Sequence, residues 1–374
     1  MEPVRILQVV TVMNRGGLET MLMNYYRQMD RADIQFDFMV HRPERGHYDD
    51  EIESMGGVIY RMPPIKPGNY RLYFNKLTEF FHAHREYRVV HSHINENSSF
   101  VLREAKRAGI PCRIAHSHLS DLRLDLKFPF RVYAKYVMKD NPNRYFACSK
   151  NAGRWLFGRE IEERNSLVVM NNAVNLREFA FDPAVREKVR SEFQAGERLV
   201  IGHVGRFNEQ KNHSFLIDIF YNVYQRNRNV LLVLVGEGYL EPAIRQKVEQ
   251  LGLKDHVAFL GVRSDIPRLM QGMDLFLFPS LFEGLPVVLV EAQAAGLRCM
   301  ASSSITPESD LTGRVRFIGL QEPADLWARE ILDSSCERAD TSEQLRESGY
   351  DSAKTAEWLA SFYHTECQPI LNQR

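Results

Sequence analysis

PSLFEGLPVVLVEAQAAG, residues 279–296, is the stretch on which the reading of this chain turns. The apolar run DLFLFPS (274–280) leads into it as a strand, and Glu283-Gly284 make a turn. Pro286 stands where a first helical residue would, a position at which a missing N–H costs nothing. Gly296 then acts as the helix stop. Strand, tight turn and helix in that order are half of a parallel βαβ unit. The free N–H groups and positive dipole end near residues 284–288 are predicted to face the C-terminal edge of a sheet, where α/β folds bind anions. A diphosphate suits that place. Glu283 falls in the turn and Glu291 inside the helix, with seven residues between them. One carboxylate can then accept from ribose hydroxyls while the other touches a sugar. A surface glutamate and a capping glutamate would leave the same spacing. What lifts this pair is its register with the strand, the turn glycine and the proline.

Outward from this segment the same alternation recurs. LVIGHVG (199–205), VLLVLVG (230–236), HVAFLG (256–261) and RCMASS (298–303) read as further strands. Residues 212–226, 240–252, 264–272 and 286–296 read as the helices between them. An earlier series has strands at VRILQVV (4–10), IQFDFMV (34–40), YRVVHSH (87–93), CRIAHSH (112–118) and RYFACS (144–149). Its helix SSFVLREAKRAG (98–109) ends on Gly109 with Pro111 just beyond. Two βαβ series separated by the polar stretch 175–198 predict two doubly wound domains, 1–178 and 179–352. Residues 353–374 form a closing helix, to about Cys367, that returns to the first domain.

The chain has 374 residues, 44% apolar and 26% charged, which suits two soluble domains and excludes disordered and fibrous classes. No apolar run approaches the roughly 20 residues of a membrane span, and MEPVRILQVV reads as a strand, not a signal peptide. Cys112, Cys148, Cys299, Cys336 and Cys367 are scattered, which suggests neither a disulfide framework nor a zinc pattern and fits a reducing cytoplasm. Lys and Arg number 27 against 21 Asp and Glu in residues 1–178, and the balance is reversed afterwards. A basic first half suits an anionic partner, although scatter over two solvated surfaces gives the same count.

E-G-x-P followed by the second glutamate resembles the E-x7-E signature of family 4 glycosyltransferases, of the GT-B fold class. GHVGRFNEQK (202–211) resembles that family's G-R-x-x-x-x-K element, and VGEGYL (235–240) its V-G-x-G loop. LGVRSDIPRLMQGMDLFLFPS (260–280) is similar to the segment whose backbone receives the base, near Val262 and Arg263. The resemblance is continuous from about 165 to 305. It implies two Rossmann-like domains facing a cleft, a nucleotide-sugar donor, most simply a UDP-sugar, and retention at the anomeric carbon. The donor contacts it implies are Gly236, Val262, Glu283, Gly284, Leu285 and Glu291, with Arg206 and Lys211 on the diphosphate. Arg206 and Lys211 also make sense physically. A departing nucleoside diphosphate gathers negative charge, which fixed cations stabilise, Arg as a fork and Lys as a point charge.

In the first half, VTVMNRGGLETMLMN (10–24) resembles the family's glycine loop, with Gly16 and Gly17 letting the backbone approach a phosphate or sugar and Glu19 capping the next helix. His91-Ser92-His93 and His116-Ser117-His118 end two successive predicted strands. Residues two apart share a face, so each imidazole pair sits together at the sheet edge. A four-histidine metal site is one alternative, although no Cys, Asp or Glu completes it. Satisfied core histidines are another. The resemblance places a sugar-contacting histidine at His118, with His116 as the fallback. The chain has no D-x-D pair for a diphosphate-bound metal, so no metal and no cofactor beyond the nucleotide-sugar co-substrate is expected.

LKFPFRVYAKYVMKD (126–140) interleaves basic and aromatic residues, and a helix from Pro129 puts Arg131, Lys135 and Lys139 on one face. That face suits an anionic membrane or a lipid-diphosphate acceptor; core aromatics with snorkelling cations are the plainer reading. Nucleic acid fits poorly. The expectation is a cytoplasmic hexosyltransferase, with a peripheral place at the membrane's inner face as an option, acting on a glycan or lipid-linked acceptor in exopolysaccharide or capsule assembly. The alternatives are a nucleotide-sugar epimerase of the same fold class, a dinucleotide-binding oxidoreductase, which would need a G-x-G-x-x-G that Gly16-Gly17 and Gly236-Glu237-Gly238 do not supply, and a non-catalytic sugar-binding module.

Overall fold

The computed structural model describes residues 2–66, 68–118, 128–138 and 140–368. The chain divides into two compact units, Met1–Asn172 with Ser352–Arg374, and Ala173–Asp351.

The first unit is a seven-stranded sheet, every pairing parallel. Its strands are β1 (Val4–Val10), β2 (Ile34–Val40), β3 (Ile59–Arg61), β4 (Val89–Ser92), β5 (Cys112–Ser117), β6 (Arg144–Ala147) and β7 (Leu167–Val169), in the order β3-β2-β1-β4-β5-β6-β7. All seven β2 residues are buried, as expected of a parallel strand covered on both faces. The order reverses between β1 and β4, and a crevice opens at the carboxyl ends of strands at such a switch point. The terminal helix Ser352–Cys367 packs on the helix Gly17–Gln28 and on β1 and β4, burying Ala356, Leu359 and Tyr363.

The second unit has six parallel strands, β8 (Leu199–Val204), β9 (Val230–Val235), β10 (Val257–Phe259), β11 (Leu275–Phe278), β12 (Arg298–Ser302) and β13 (Val315–Ile318). Their order is β10-β9-β8-β11-β12-β13, with the switch point between β8 and β11.

The second unit begins earlier than the change at 178/179 read from composition. Val174, Leu176 and Phe179 belong to its apolar core, and Val174 bridges Asp351. The polar stretch 175–198 contains two helices, Leu176–Phe179 and Pro183–Glu192. Asp182 caps the second by accepting from the N–H groups of Ala184 and Val185 at 2.8 and 3.2 Å. Pro286 is the residue before its helix, not the first within it, and the helix runs Val287–Ala294.

Candidate functional site

The motifs of the second unit meet at the carboxyl ends of β8, β9 and β11. Gly205 N–H bonds Val235 O at 2.9 Å, Phe207 N–H bonds Glu237 O at 2.9 Å, and Gly236 N–H bonds Gly261 O at 2.8 Å. Gly236 has φ +133°, and a Cβ there would lie 2.2 Å from Gly205 O. Only glycine lets these two loops close on each other. A side chain at Gly205 would press on the Lys211 stem, 3.2 Å away at Cδ and Cε.

Lys211 ends a short turn, Glu209–Lys211, which Asn208 caps by accepting the Lys211 N–H at 3.2 Å. Asn212 follows in the left-handed region at φ +54°, which asparagine tolerates, and its Nδ2 donates to Pro279 O at 3.2 Å. Leu281 N–H bonds Gln210 O at 2.8 Å, and Gln210 Nε2 donates to Phe282 O at 3.1 Å. The loop after β8 is thus tied to the loop carrying Glu283. Lys211 Nζ lies 2.6 Å from Glu283 Oε1 and 4.6 Å from the Phe278 ring centroid. The Lys211 ammonium has three donors, and Glu283 takes one, so an anion can be received beside that carboxylate. Arg206 is exposed on the same loop.

Glu291 is buried, and burial raises its carboxyl to about pH 7. A carboxyl so poised gains when polar hydrogens replace the water it has lost. Gly284 is exposed, with nothing within 4 Å of where a Cβ would stand, which leaves its backbone open to a ligand. Leu285 packs its side chain on the apolar core, so only its backbone can serve a donor. Val262 is partly buried beside Arg263, which Asp265 holds at 2.8 Å. Phe278, the last residue of β11, and Asn208, Gln210 and Asn212, in a loop, went unnoticed in the sequence because their residue types are common in such places.

In the first unit Gly16 precedes the helix Gly17–Gln28 with extended dihedrals, and Glu19 stands in its first turn. All four strand-end histidines come together. His91 Nδ1 pairs with the Tyr363 hydroxyl at 2.8 Å and its Nε2 with His116 Nδ1 at 3.1 Å. His93 Nδ1 pairs with His118 Nε2 at 3.0 Å and its Nε2 with Gln8 Oε1 at 2.9 Å. Burial pushes the four rings well below ordinary imidazole values, His118 to about 3. His118 N–H is also held by Asn95 Oδ1 at 2.9 Å. Ligand atoms of His91, His93 and His116 lie within 4.8 Å of one another, and among the described residues these are the ones grouped closely enough to hold a metal. A cation there would displace the His91–His116 hydrogen bond and meet neutral rings with no carboxylate in the group. Gln8 and Tyr363 were missed. Gln8 had a signal, an amide in the middle of the apolar strand VRILQVV.

The helix Phe128–Tyr136 does not present the predicted basic face. Arg131 Nε lies 3.7 Å from Glu96 Oε1 and is only 21% exposed. Lys135 donates to Trp155 O and lies over that indole at 5.1 Å, while Lys139 is outside the described residues. Burial of the lysine stem and the nearby acid draw these cations inward. The exposed positions are Pro129, Val132, Tyr133 and Tyr136. Among the described residues no helix is long and apolar enough to cross a membrane.

The family model described as Glycosyltransferase Family 4 matches residues 15–178, and that described as Glycosyl transferases group 1 matches residues 198–333. EpsF of Bacillus subtilis, which bears a provisional glycosyltransferase name, is 37% identical over 99% of this chain and 98% of its own. The UDP-Gal:alpha-D-GlcNAc-diphosphoundecaprenol alpha-1,3-galactosyltransferase of Escherichia coli is 28% identical over 58% of each chain. The crystal structure of Anabaena HepE in complex with UDP-glucose shares the fold, with a TM-score of 0.76, 20% identity, and 96% and 99% of the two chains covered. With the matched models spanning both units and a relative this similar over its whole length, the chain belongs to the group 1, family 4 glycosyltransferases, of the GT-B fold class.

Proposed function

We propose that this glycosyltransferase moves a hexose from a UDP-sugar, with retention, to a glycan or lipid-diphosphate-linked acceptor during surface polysaccharide assembly. The observation that carries the donor half is the Lys211–Glu283 pair at the β8/β11 switch point, with Glu291 buried in the helix that follows Glu283. UDP-glucose in HepE and UDP-galactose with a lipid-diphosphate acceptor in the E. coli relative's name support the choice of base and acceptor class.

In this reading Glu291 accepts from the ribose hydroxyls, and the backbone of Gly236, Val262, Gly284 and Leu285 lines the nucleotide. Arg206 and Lys211 hold the diphosphate without a metal ion. Charge grows on that diphosphate as the glycosidic bond breaks, and preplaced cations stabilise it most at that moment. Glu283 holds Lys211 in place and reaches the sugar. By the family resemblance His118 also contacts the sugar, and Gly16 and Gly17 let the backbone approach it. Any contact of the helix Phe128–Tyr136 with a lipid-bearing acceptor is assigned to Val132, Tyr133 and Tyr136, since Arg131 and Lys135 are engaged elsewhere. Screening UDP-, GDP- and ADP-hexoses for thermal stabilisation tests the donor. A ligand at a hundred times its Kd adds about 2.7 kcal/mol, and a shift with GDP- or ADP-sugars alone would displace the UDP reading.

A further inference from the structure

Six side chains of the first unit form one line of hydrogen bonds whose direction is set at a single group. Gln8 Nε2 donates to the Tyr363 hydroxyl at 3.1 Å, so Gln8 Oε1 accepts in its 2.9 Å contact with His93 Nε2. An amide oxygen has no proton to give, which puts the His93 proton on Nε2. His93 is buried and its partners are an amide oxygen and another ring, with no carboxylate to hold a second proton, so its Nδ1 is bare and accepts from His118 Nε2 at 3.0 Å. His118 gives its Nε2 proton to His93 and, as a neutral ring packed on His93 and His116, is left with a bare Nδ1.

The other arm runs the opposite way. The Tyr363 hydroxyl accepts from Gln8 and gives its own proton to His91 Nδ1 at 2.8 Å. Burial raises the phenol, so that proton stays in place. His91 then donates from Nε2 to His116 Nδ1 at 3.1 Å. His116 ends the line with an Nε2–H that is buried and has no partner among the described residues. A carboxylate in place of Gln8 would break the line at its origin, since it has no N–H for Tyr363 and would draw a second proton onto His93.

We propose that Gln8 and Tyr363 are positioning residues that set the tautomers of the strand-end histidines, so that His118 offers a bare, accepting Nδ1 to a sugar hydroxyl. The assignment of His118 to the sugar rests on the function proposed above; the tautomers do not. A lone pair accepts from a hydroxyl and repels an anion, so this end of the sheet selects for the neutral sugar and not for the diphosphate. The terminal helix, through Tyr363, is thereby part of the site 245 residues after His118.

Histidine ring nitrogens in the full-length ¹⁵N-histidine-labelled chain report the tautomers directly at pH 7 in EDTA. The expected spectrum has His93 and His118 each protonated at Nε2 alone. Gln8→Glu should protonate His93 at both nitrogens, and Tyr363→Phe should release His91 from its fixed form and, with nothing left to hold the Gln8 amide, mix the tautomers of His93 and His118. With UDP-glucose as the probe, release of UDP by Gln8→Glu should fall about ten- to a hundredfold in kcat with a smaller change in KM, taking the range known for outer hydrogen-bond partners of metal-bound histidines as the guide. Nδ1–H tautomers or exchange-averaged rings in the wild-type chain would overturn the proposal, and this needs no variant to fold. So would a Gln8→Glu variant with altered rings and wild-type kinetics. The stated tautomers in a chain that releases no UDP from UDP-glucose would contradict the choice of donor and leave the tautomer assignment standing.

Discussion

The switch points of the two sheets solve opposite problems with the same backbone geometry. Between β8 and β11 the chain collects ionic groups: Lys211 against Glu283, Arg206 on the loop, and Glu291 buried in the helix that follows. Between β1 and β4 it collects neutral ones: four imidazoles, an amide and a phenol in a single hydrogen-bonded line. The first arrangement suits a ligand that carries charge and gains more as a bond breaks. The second suits a ligand with hydroxyls, for which direction of donation matters more than charge. A shared topology says only where a ligand sits; the side chains say what it is.

The sharpest way to break this contrast is to remove charge from the ionic end. Lys211→Ala should lower kcat for a UDP-hexose about a hundred- to a thousandfold with little change in KM, the usual cost of losing one transition-state stabiliser. A loss confined to KM would mean that Lys211 binds donor and transition state alike, and the contrast would lose its mechanistic meaning.

Acidity separates binding from stability at Glu291. Its folded carboxyl lies near pH 7 against an ordinary 4.5, so the folded chain keeps a proton that the unfolded chain has lost between those values. That contribution to stability is full below pH 4.5 and fades as pH rises through 7. Ribose hydroxyls need the ionised acceptor, so UDP affinity should move the other way. It should weaken about tenfold from pH 8 to pH 6, as titration of one group requires. Glu291→Gln should flatten both profiles. A wild-type affinity independent of pH across this range would place the ribose elsewhere.

Gly236→Ala tests whether the ionic end depends on close backbone approach. With φ +133° and a Cβ 2.2 Å from Gly205 O, the substitution should cost about 1–3 kcal/mol by thermal unfolding. An unchanged melting temperature would show that the two loops have slack. The smallest effect is expected at the surface. Alanine at both Arg131 and Lys135 should leave partitioning onto anionic vesicles unchanged, because those cations face Glu96 and Trp155. A salt-sensitive drop would restore the basic face.

The ionic end was largely legible in the sequence because its parts are local. Glu283 and Glu291 lie on one strand–turn–helix segment, and Arg206 and Lys211 on one loop. Most strands were legible for a similar reason: buried parallel strands such as VLLVLV are continuous apolar runs. Three-residue edge strands such as β3 and β7 leave no such run. The neutral end was harder to read. The two HSH triplets were visible as pairs, but their partners lie at residues 8 and 363, and nothing in local spacing joins those positions. The basic face of 126–140 misled because helical periodicity places side chains around an axis without saying which side the core lies on.

The central claim is that the β8/β11 end holds a nucleoside diphosphate, with cations at the phosphates and Glu291 at the ribose, without help from a metal. Calorimetric titration of UDP into the full chain in EDTA tests it, beside the same titration with Glu291→Ala. The account predicts measurable binding by the wild type and about ten- to a hundredfold weaker binding by the variant, the worth of hydrogen bonds to one charged group. Binding that appears only after Mg²⁺ or Mn²⁺ is added, or equal affinity in the two proteins, would contradict it.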